Sequence, residues 1–352
     1  WLTDNFGWEY IFYINLPPAL LMIVGLMYSL DKEKPNWDLL KQTDYAGIVC
    51  MAIGLGCLQV FLEEGYRKDW LESSLIVTLG CIAFIALGLF VILQFSREHP
   101  LINLRILGER NFGLGGVSVF FIGMAIYGTV FLLTLYLAQI HNYNPEQIGS
   151  VMLWTGLPQL LVIPLVPLLL RKADPRWMAA AGLFLIALSS YANSQLNLDF
   201  GGEQLTHTLL IRAIGQPLVM VTSSLICMAY LMPKDVGSGS SLYNVLRNLG
   251  GAVGIALLST LIDNRTKTYF DYLREAVVPG NPQVAERLSL YTEKLGSETA
   301  ALGKLSEITH QQAQIMAFND AFLAIAIGVS ISLICILLTR KLPANASTEP
   351  VH

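Results

Sequence analysis

The 352-residue chain has 22 basic and 26 acidic side chains, a net charge of −4, and is 54% apolar and only 14% charged. An average soluble domain is about 25% charged, so this composition, with a mean hydropathy of +0.54, excludes an ordinary soluble globule and describes an all-α, polytopic integral membrane protein. The net charge is spread over loops of both signs, so it says nothing about nucleic acid and does not suggest a basic membrane-surface patch, and no nucleic-acid partner is expected.

The chain opens on Trp1-Leu-Thr-Asp-Asn-Phe-Gly-Trp8, without an initiating methionine or a signal peptide. That stretch reads as an interfacial loop and leads us to expect a chain truncated at its amino end. A window of about 19 residues then predicts nine spans, at 10–30, 45–62, 74–95, 112–138, 147–170, 177–194, 208–232, 238–262 and 317–339. Cys50, Cys57, Cys81, Cys227 and Cys335 all fall inside these spans and form no CxxC pair, so they read as small packing residues.

Orientation follows from the short loops. Twelve cations fall on one side: Lys32, Lys34, Lys41, Arg97, Arg105, Arg110, Arg171, Lys172, Arg176, Lys234, Arg340 and Lys341. Only Arg67 and Lys68 fall on the other. The first set is expected in the cytoplasm, which places residues 1–9 and segment 263–316 outside. In that segment Leu302, Leu305, Ile308 and Ile315 are spaced as an amphipathic helix continuing the last span outward. It reads either as a solvated hairpin or as a docking surface for a partner. The Asn-x-Ser/Thr sequons at Asn264 and Asn345 read as chance matches.

Arg247 is the most informative residue. It lies about ten residues into the eighth span, roughly 15 Å deep, where a guanidinium costs on the order of 2.5–3.5 kcal/mol. Ser240, Tyr243, Asn244, Arg247, Gly250, Gly251 and Gly254 share one face of that helix. Leu242, Leu246, Leu249, Val253 and Leu257 form a second face, fit for lipid. The first face reads as the lining of a cavity or gate, or else as a packing seam in which Arg247 ties two helices together.

Arg212, in Ile-Arg-Ala-Ile-Gly-Gln-Pro, has Gln216 one turn away, ahead of Pro217. It reads equally as a functional cation or as one that snorkels to the interface. Span 147–170 carries Trp154, Thr155 and Gln159 among Pro158, Pro164 and Pro167. Freed carbonyls near those prolines favour a bent, interior-facing helix. Tyr127, Thr134 and Gln139 are weaker candidates on the preceding span. No Asp or Glu falls in the middle of a span, so the main proton site of a proton-coupled carrier would be expected upstream of this chain. No nucleotide-binding, zinc, nucleophile or paired-carboxylate motif is present, so an intramembrane enzyme has little support.

Several stretches resemble one family, the fourteen-helix drug:proton antiporters of EmrB/QacA type within the major facilitator superfamily. They are Gly7-Trp-Glu-Tyr-Ile-Phe-Tyr-Ile-Asn-Leu-Pro17, Asp44-Tyr-Ala-Gly47, His99-Pro-Leu-Ile-Asn-Leu-Arg105 with Arg110-Asn-Phe112, Arg212-Ala-Ile-Gly215, Ser240 to Gly254, and Gln312 to Phe322. The resemblance, closer to EmrB than to QacA, implies that the nine spans correspond to family helices six to fourteen. Residues 1–30 would be the last helix of the amino-terminal bundle with its outer loop. Residues 31–111 would be a cytoplasmic linker with an extra two-helix insert, and 112–342 a six-helix carboxy-terminal bundle containing the periplasmic loop 263–316. Residues 343–352 would be a cytoplasmic tail.

The resemblance further implies proton-driven export of small amphipathic drugs across the bacterial inner membrane by alternating access, with no cofactor beyond the proton gradient. Partners would be the lipid bilayer, a periplasmic adaptor and an outer-membrane channel. Arg247 and Asn244 become cavity or gate residues, and Tyr243, Gln216, Gln159 and Trp154 substrate contacts. Arg171, Asp174 and Arg176 keep the charges of the superfamily's cytoplasmic-loop motif but lack its glycines. The acidic residues linked to proton coupling lie upstream in the family, so this chain alone is not expected to transport. Rival readings are an exporter of one metabolite or siderophore, and a membrane scaffold or sensor with a carrier fold.

Overall fold

The computed structural model describes residues 1–29, 44–68, 70–97, 100–277 and 282–341. Lys32, Lys34, Lys41, His99, Asn345 and the tail at 343–352 lie outside the described residues. The described residues form α1 (Leu2–Phe6), α2 (Tyr10–Tyr13), α3 (Leu16–Ser29), α4 (Tyr45–Gly65), α5 (Ser74–Ser96), α6 (Arg110–Gln139), α7 (Pro145–Val162), α8 (Leu165–Leu170), α9 (Pro175–Asn193), α10 (Gly202–Met228), α11 (Val236–Ala276), α12 (Pro282–Leu295) and α13 (Glu298–Leu337).

Local chemistry sets the helix starts. Asp44 caps α4 by accepting from the Gly47 amide. Asn144 and Gln147 form a reciprocal capping box ahead of α7, with Pro145 at the first helical position. Asp174 caps α9 by accepting from the Arg176 amide, again with proline, Pro175, at the helix start.

Among the described residues, seven helical stretches are long and apolar enough to cross a membrane, and they coincide with seven of the nine predicted spans. The other two fall short for visible reasons. Span 147–170 is two helices, α7 and α8, broken around Ile163 and Pro164, because proline supplies no amide for the helical ladder. Span 177–194 is the 19-residue α9, whose Ser189, Ser190 and Asn193 lower its apolar character.

The helices α6, α7, α9, α10, α11 and α13 share one core, in which Leu133, Tyr136, Leu183, Leu209, Phe318 and Phe322 are buried. The α4–α5 hairpin joins that assembly through a second cluster, where Phe90, Ile102 and Ile106 pack with Phe112, Cys227 and Leu242. The predicted lipid-facing stripe of α11 is therefore partly covered. Leu242 is buried against this hairpin cluster, whereas Leu257 stays exposed. No residue of α3 is buried.

Family-like motifs turn out to be ties between segments. Asp44 accepts from the Gly47 amide and from Gln94 Nε2, both at 3.0 Å, while Gln94 Oε1 accepts from the Ile102 amide at 3.0 Å. A side chain at Gly47 would strike both Asp44 and Gln94. At the same end, Arg110 donates to the Leu338 carbonyl at 2.9 Å, Arg176 donates to the Leu337 carbonyl, and the Asn111 amide brackets the backbone of Arg340. Cations at the open carbonyls of a helix C-terminus suit both its hydrogen-bonding needs and its dipole.

At the opposite end, the Asn319 side chain pairs with both backbone groups of Leu196, and Asp320 takes Arg265 at 3.2 Å and the Tyr269 hydroxyl at 2.8 Å. The long segment beyond the spans is helical on both sides of residues 278–281, which lie outside the description. α11 runs 41 residues without a break, roughly twice what a bilayer requires. In the outward continuation of α13, Leu305 and Ile315 are buried and Leu302 is exposed.

Candidate functional site

Helix α11 carries the core of the candidate site, and its approach to α6 is set by glycine. A Cβ on Gly250 would lie 2.0 Å from the Phe120 carbonyl oxygen, and one on Gly123 would lie 2.0 Å from that of Arg247. Gly251 and Gly254 likewise leave room for Tyr127 and Met124. This reciprocal contact of small residues is the usual means of bringing membrane helices together. It fixes the rotation of α11.

Rotation in turn splits the predicted polar face. Tyr243 turns inward and is only 7% exposed, its hydroxyl 2.9 Å from Ser223 Oγ on α10. Asn244 and Asn248 turn outward, and Asn248 accepts from the Tyr127 hydroxyl at 3.3 Å. Arg247 lies between the two directions. Its Nη2 donates to Asn244 Oδ1 at 2.9 Å, while its buried Nε has no hydrogen-bond partner. Among the described residues it forms no ion pair. The guanidinium thus has donors to spare and is held from its own helix.

Arg212 behaves differently. Snorkelling is ruled out, because the residue is 2% exposed and its Nη2 donates to the carbonyls of Ala125 and Ile126 on α6, at 3.3 and 2.9 Å. The carbonyls it finds are inside the helix assembly, so its side chain has no need to reach the interface. Gln216, one turn on, is half-buried with an unpartnered Oε1.

Trp154 and Gln159 stand apart from Arg247. They lie on α7, which packs against α10 rather than α11. Trp154 is 47% exposed and lines a pocket of about 340 Å³ with Tyr143, Gln147, Glu203 and Thr206. Gln159 Nε2 donates back to the Thr155 carbonyl at 2.8 Å. In the loop motif Arg171 is exposed, Asp174 caps α9 and Arg176 ties α9 to the end of α13. Asn248 was missed in the sequence. Its signal was a polar side chain directly after Arg247, on the flank of the stripe.

Residues 1–255 match the Major Facilitator Superfamily. The chain belongs to this superfamily. It is 30% identical to the colistin resistance protein EmrB of Acinetobacter baumannii, an alignment covering 93% of this chain and 65% of that protein. It is 26% identical to the fatty acid resistance protein FarB of Neisseria gonorrhoeae, over 98% of this chain and 68% of that one. Against the multidrug export protein EmrB of Escherichia coli K12 the values are 25%, 98% and 67%. The chain therefore spans about two thirds of the length of these relatives. EmrB-type resemblance in the sequence, the all-helical fold and a multi-pass membrane protein are all supported by these likenesses.

Proposed function

We propose that the protein is the larger part of an efflux carrier that exports small amphipathic compounds across the bacterial inner membrane, driven by proton antiport. The observation that carries this reading is Arg247, an intramembrane cation with an unpartnered Nε beside the outward-facing Asn244 and Asn248. Such a group is kept in a bilayer where it faces protein or water, and a carrier exposes such a face to its substrate. Resistance and export in the names of the EmrB-type relatives support efflux as the direction. The basic ends of α6, α9 and α13, gathered by Arg110, Arg176 and Arg340, would face the cytoplasm. The outward extensions of α11 and α13, with α12, would be offered to a periplasmic adaptor.

A second reading changes the substrate. Arg212 and Arg247 both lack an acidic partner among the described residues, and this positive field favours an acidic amphiphile over a cationic one. The name of the FarB relative points the same way.

Drug susceptibility and efflux are to be compared in cells expressing the complete gene and in cells lacking it, with acidic and cationic amphiphiles and with a collapsed proton gradient. Gradient-dependent efflux of either class supports the carrier, and preference for acids supports the second reading. Folded protein in the membrane without flux of any compound contradicts both.

A further inference from the structure

Helix α6 is held from two sides at one level. On one side the reciprocal glycines Gly123 and Gly250 bring its backbone against α11. On the other, Arg212 of α10 reaches across and donates from Nη2 to the carbonyls of Ala125 and Ile126, at 3.3 and 2.9 Å. The second carbonyl belongs to the peptide unit that joins Ile126 to Tyr127. Arg212 thus grips the backbone immediately before the α6 side chain that meets the candidate site.

Tyr127 is that side chain. Its ring lies over α11 at the point where Gly251 has no side chain, and a Cβ there would come within 2.3 Å of the ring. Its hydroxyl donates at 3.3 Å to Asn248, the residue after Arg247. With 41% of its surface exposed, the ring stands as an aromatic wall beside the open flank of Asn244 and Asn248.

Helix α10 is a firm base for this grip. Gly182 of α9 and Gly215 of α10 face each other so closely that a Cβ on either would lie 2.7 Å from the other's carbonyl oxygen. Gly215 is three residues from Arg212, so the backbone that carries the arginine is fixed. The guanidinium itself is buried and has no acidic partner among the described residues. A charge buried in that way is more costly than an apolar side chain of similar volume, so packing alone does not account for an arginine at this position. Its charged, planar group supplies what an apolar side chain lacks, a directed bond to two successive carbonyls.

We propose that Arg212 is a positioning residue for the candidate site: by holding the peptide between Ile126 and Tyr127 it sets the Tyr127 ring against α11, beside Arg247. Its bonded donor is turned to α6 and away from the open flank, so it acts through Tyr127 rather than by contact with a substrate. The inference rests on the reading of the Arg247 flank as the carrier's working face. It adds to that face an aromatic side chain and the buried cation that places it.

The test is fluorine NMR of the purified full chain in detergent, with fluorotyrosine placed at position 127 and, in a parallel sample, at position 136. Tyr136 is fully buried on the same helix, its hydroxyl held by the carbonyls of Asn197 and Phe200, so it reports on α6 as a whole. At 127 the resonance should be displaced from that of free fluorotyrosine, because the ring lies against Gly251. Arg212→Met is expected to remove most of that displacement and to leave the signal at 136 unmoved. Arg212→Lys keeps a charged donor and should restore much of it. Arg212→Gln, shorter and neutral, takes the place of Arg212→Met if that variant does not fold. An unchanged signal at 127 overturns the proposal, as does a failure of Arg212→Lys to recover the displacement. Equal changes at 127 and 136, or failure of both neutral variants to fold, also overturn it, because they mark Arg212 as a general packing tie. The measurement needs no flux, so its failure is distinguishable from failure of the carrier reading.

Discussion

Replacing Arg247 with alanine in the complete protein is expected to reduce efflux at least tenfold while leaving the amount of folded protein in the membrane unchanged. The side chain makes one hydrogen bond, to Asn244 on its own helix, and ties no two helices together. Losing it therefore costs little packing. A charged hydrogen bond to a substrate group is worth about 1.5–3 kcal/mol, which corresponds to roughly 10–100-fold in rate or affinity. Arg247→Lys keeps the charge but loses the planar fork of donors, and it should recover part of the flux. Flux at wild-type level in Arg247→Ala, measured with the preferred substrate of the susceptibility screen, would remove Arg247 from the transport cycle.

Gly250→Val should damage the fold severely. Even its first carbon would lie 2.0 Å from the Phe120 carbonyl oxygen, which is backbone and has nowhere to move. Overpacking of this kind costs on the order of 1–3 kcal/mol or more, and in a membrane there is no apolar driving force to restore the contact. A marked fall in thermal midpoint, with loss of monodisperse protein in detergent, is expected. Gly56→Ala on α4 is the matched control, because nothing lies within 4 Å of the added carbon. It should be neutral or slightly stabilising, since alanine favours a helix by about 1 kcal/mol. Equal tolerance of both changes would mean that α6 and α11 do not approach as described.

The spans were legible in the sequence, because hydropathy reports them directly. The caps at Asp44, Asn144 and Asp174 emerge from the structure. Windowed hydropathy averages over a break, so it gave 147–170 as one span; the prolines indicated a bend there, and the structure makes it a break between α7 and α8 at Pro164.

The rotation of α11 was only half legible. Spacing alone placed Tyr243, Asn244 and Arg247 on one face, but a face about 100° wide can be divided by its neighbours. Gly250 and Gly123 decided that division by admitting α6, turning Tyr243 inward to Ser223 and leaving Asn244 and Asn248 outward. Arg212 could not be placed from sequence at all. Snorkelling and burial differ only in which carbonyls come within reach, and those of Ala125 and Ile126 lie 86 or more positions away in the chain.

The outward flank of the Arg247 stripe is expected to meet water within the membrane. Placing cysteine singly at Asn244, Asn248 or Leu257 in a protein whose five native cysteines are replaced, and treating intact membranes with a charged, membrane-impermeant maleimide, tests this directly. Labelling at 244 and 248 with none at 257, which is exposed on the apolar side of the same helix, is the predicted result. Failure to label 244 and 248 in folded protein, or labelling of all three positions alike, would contradict it.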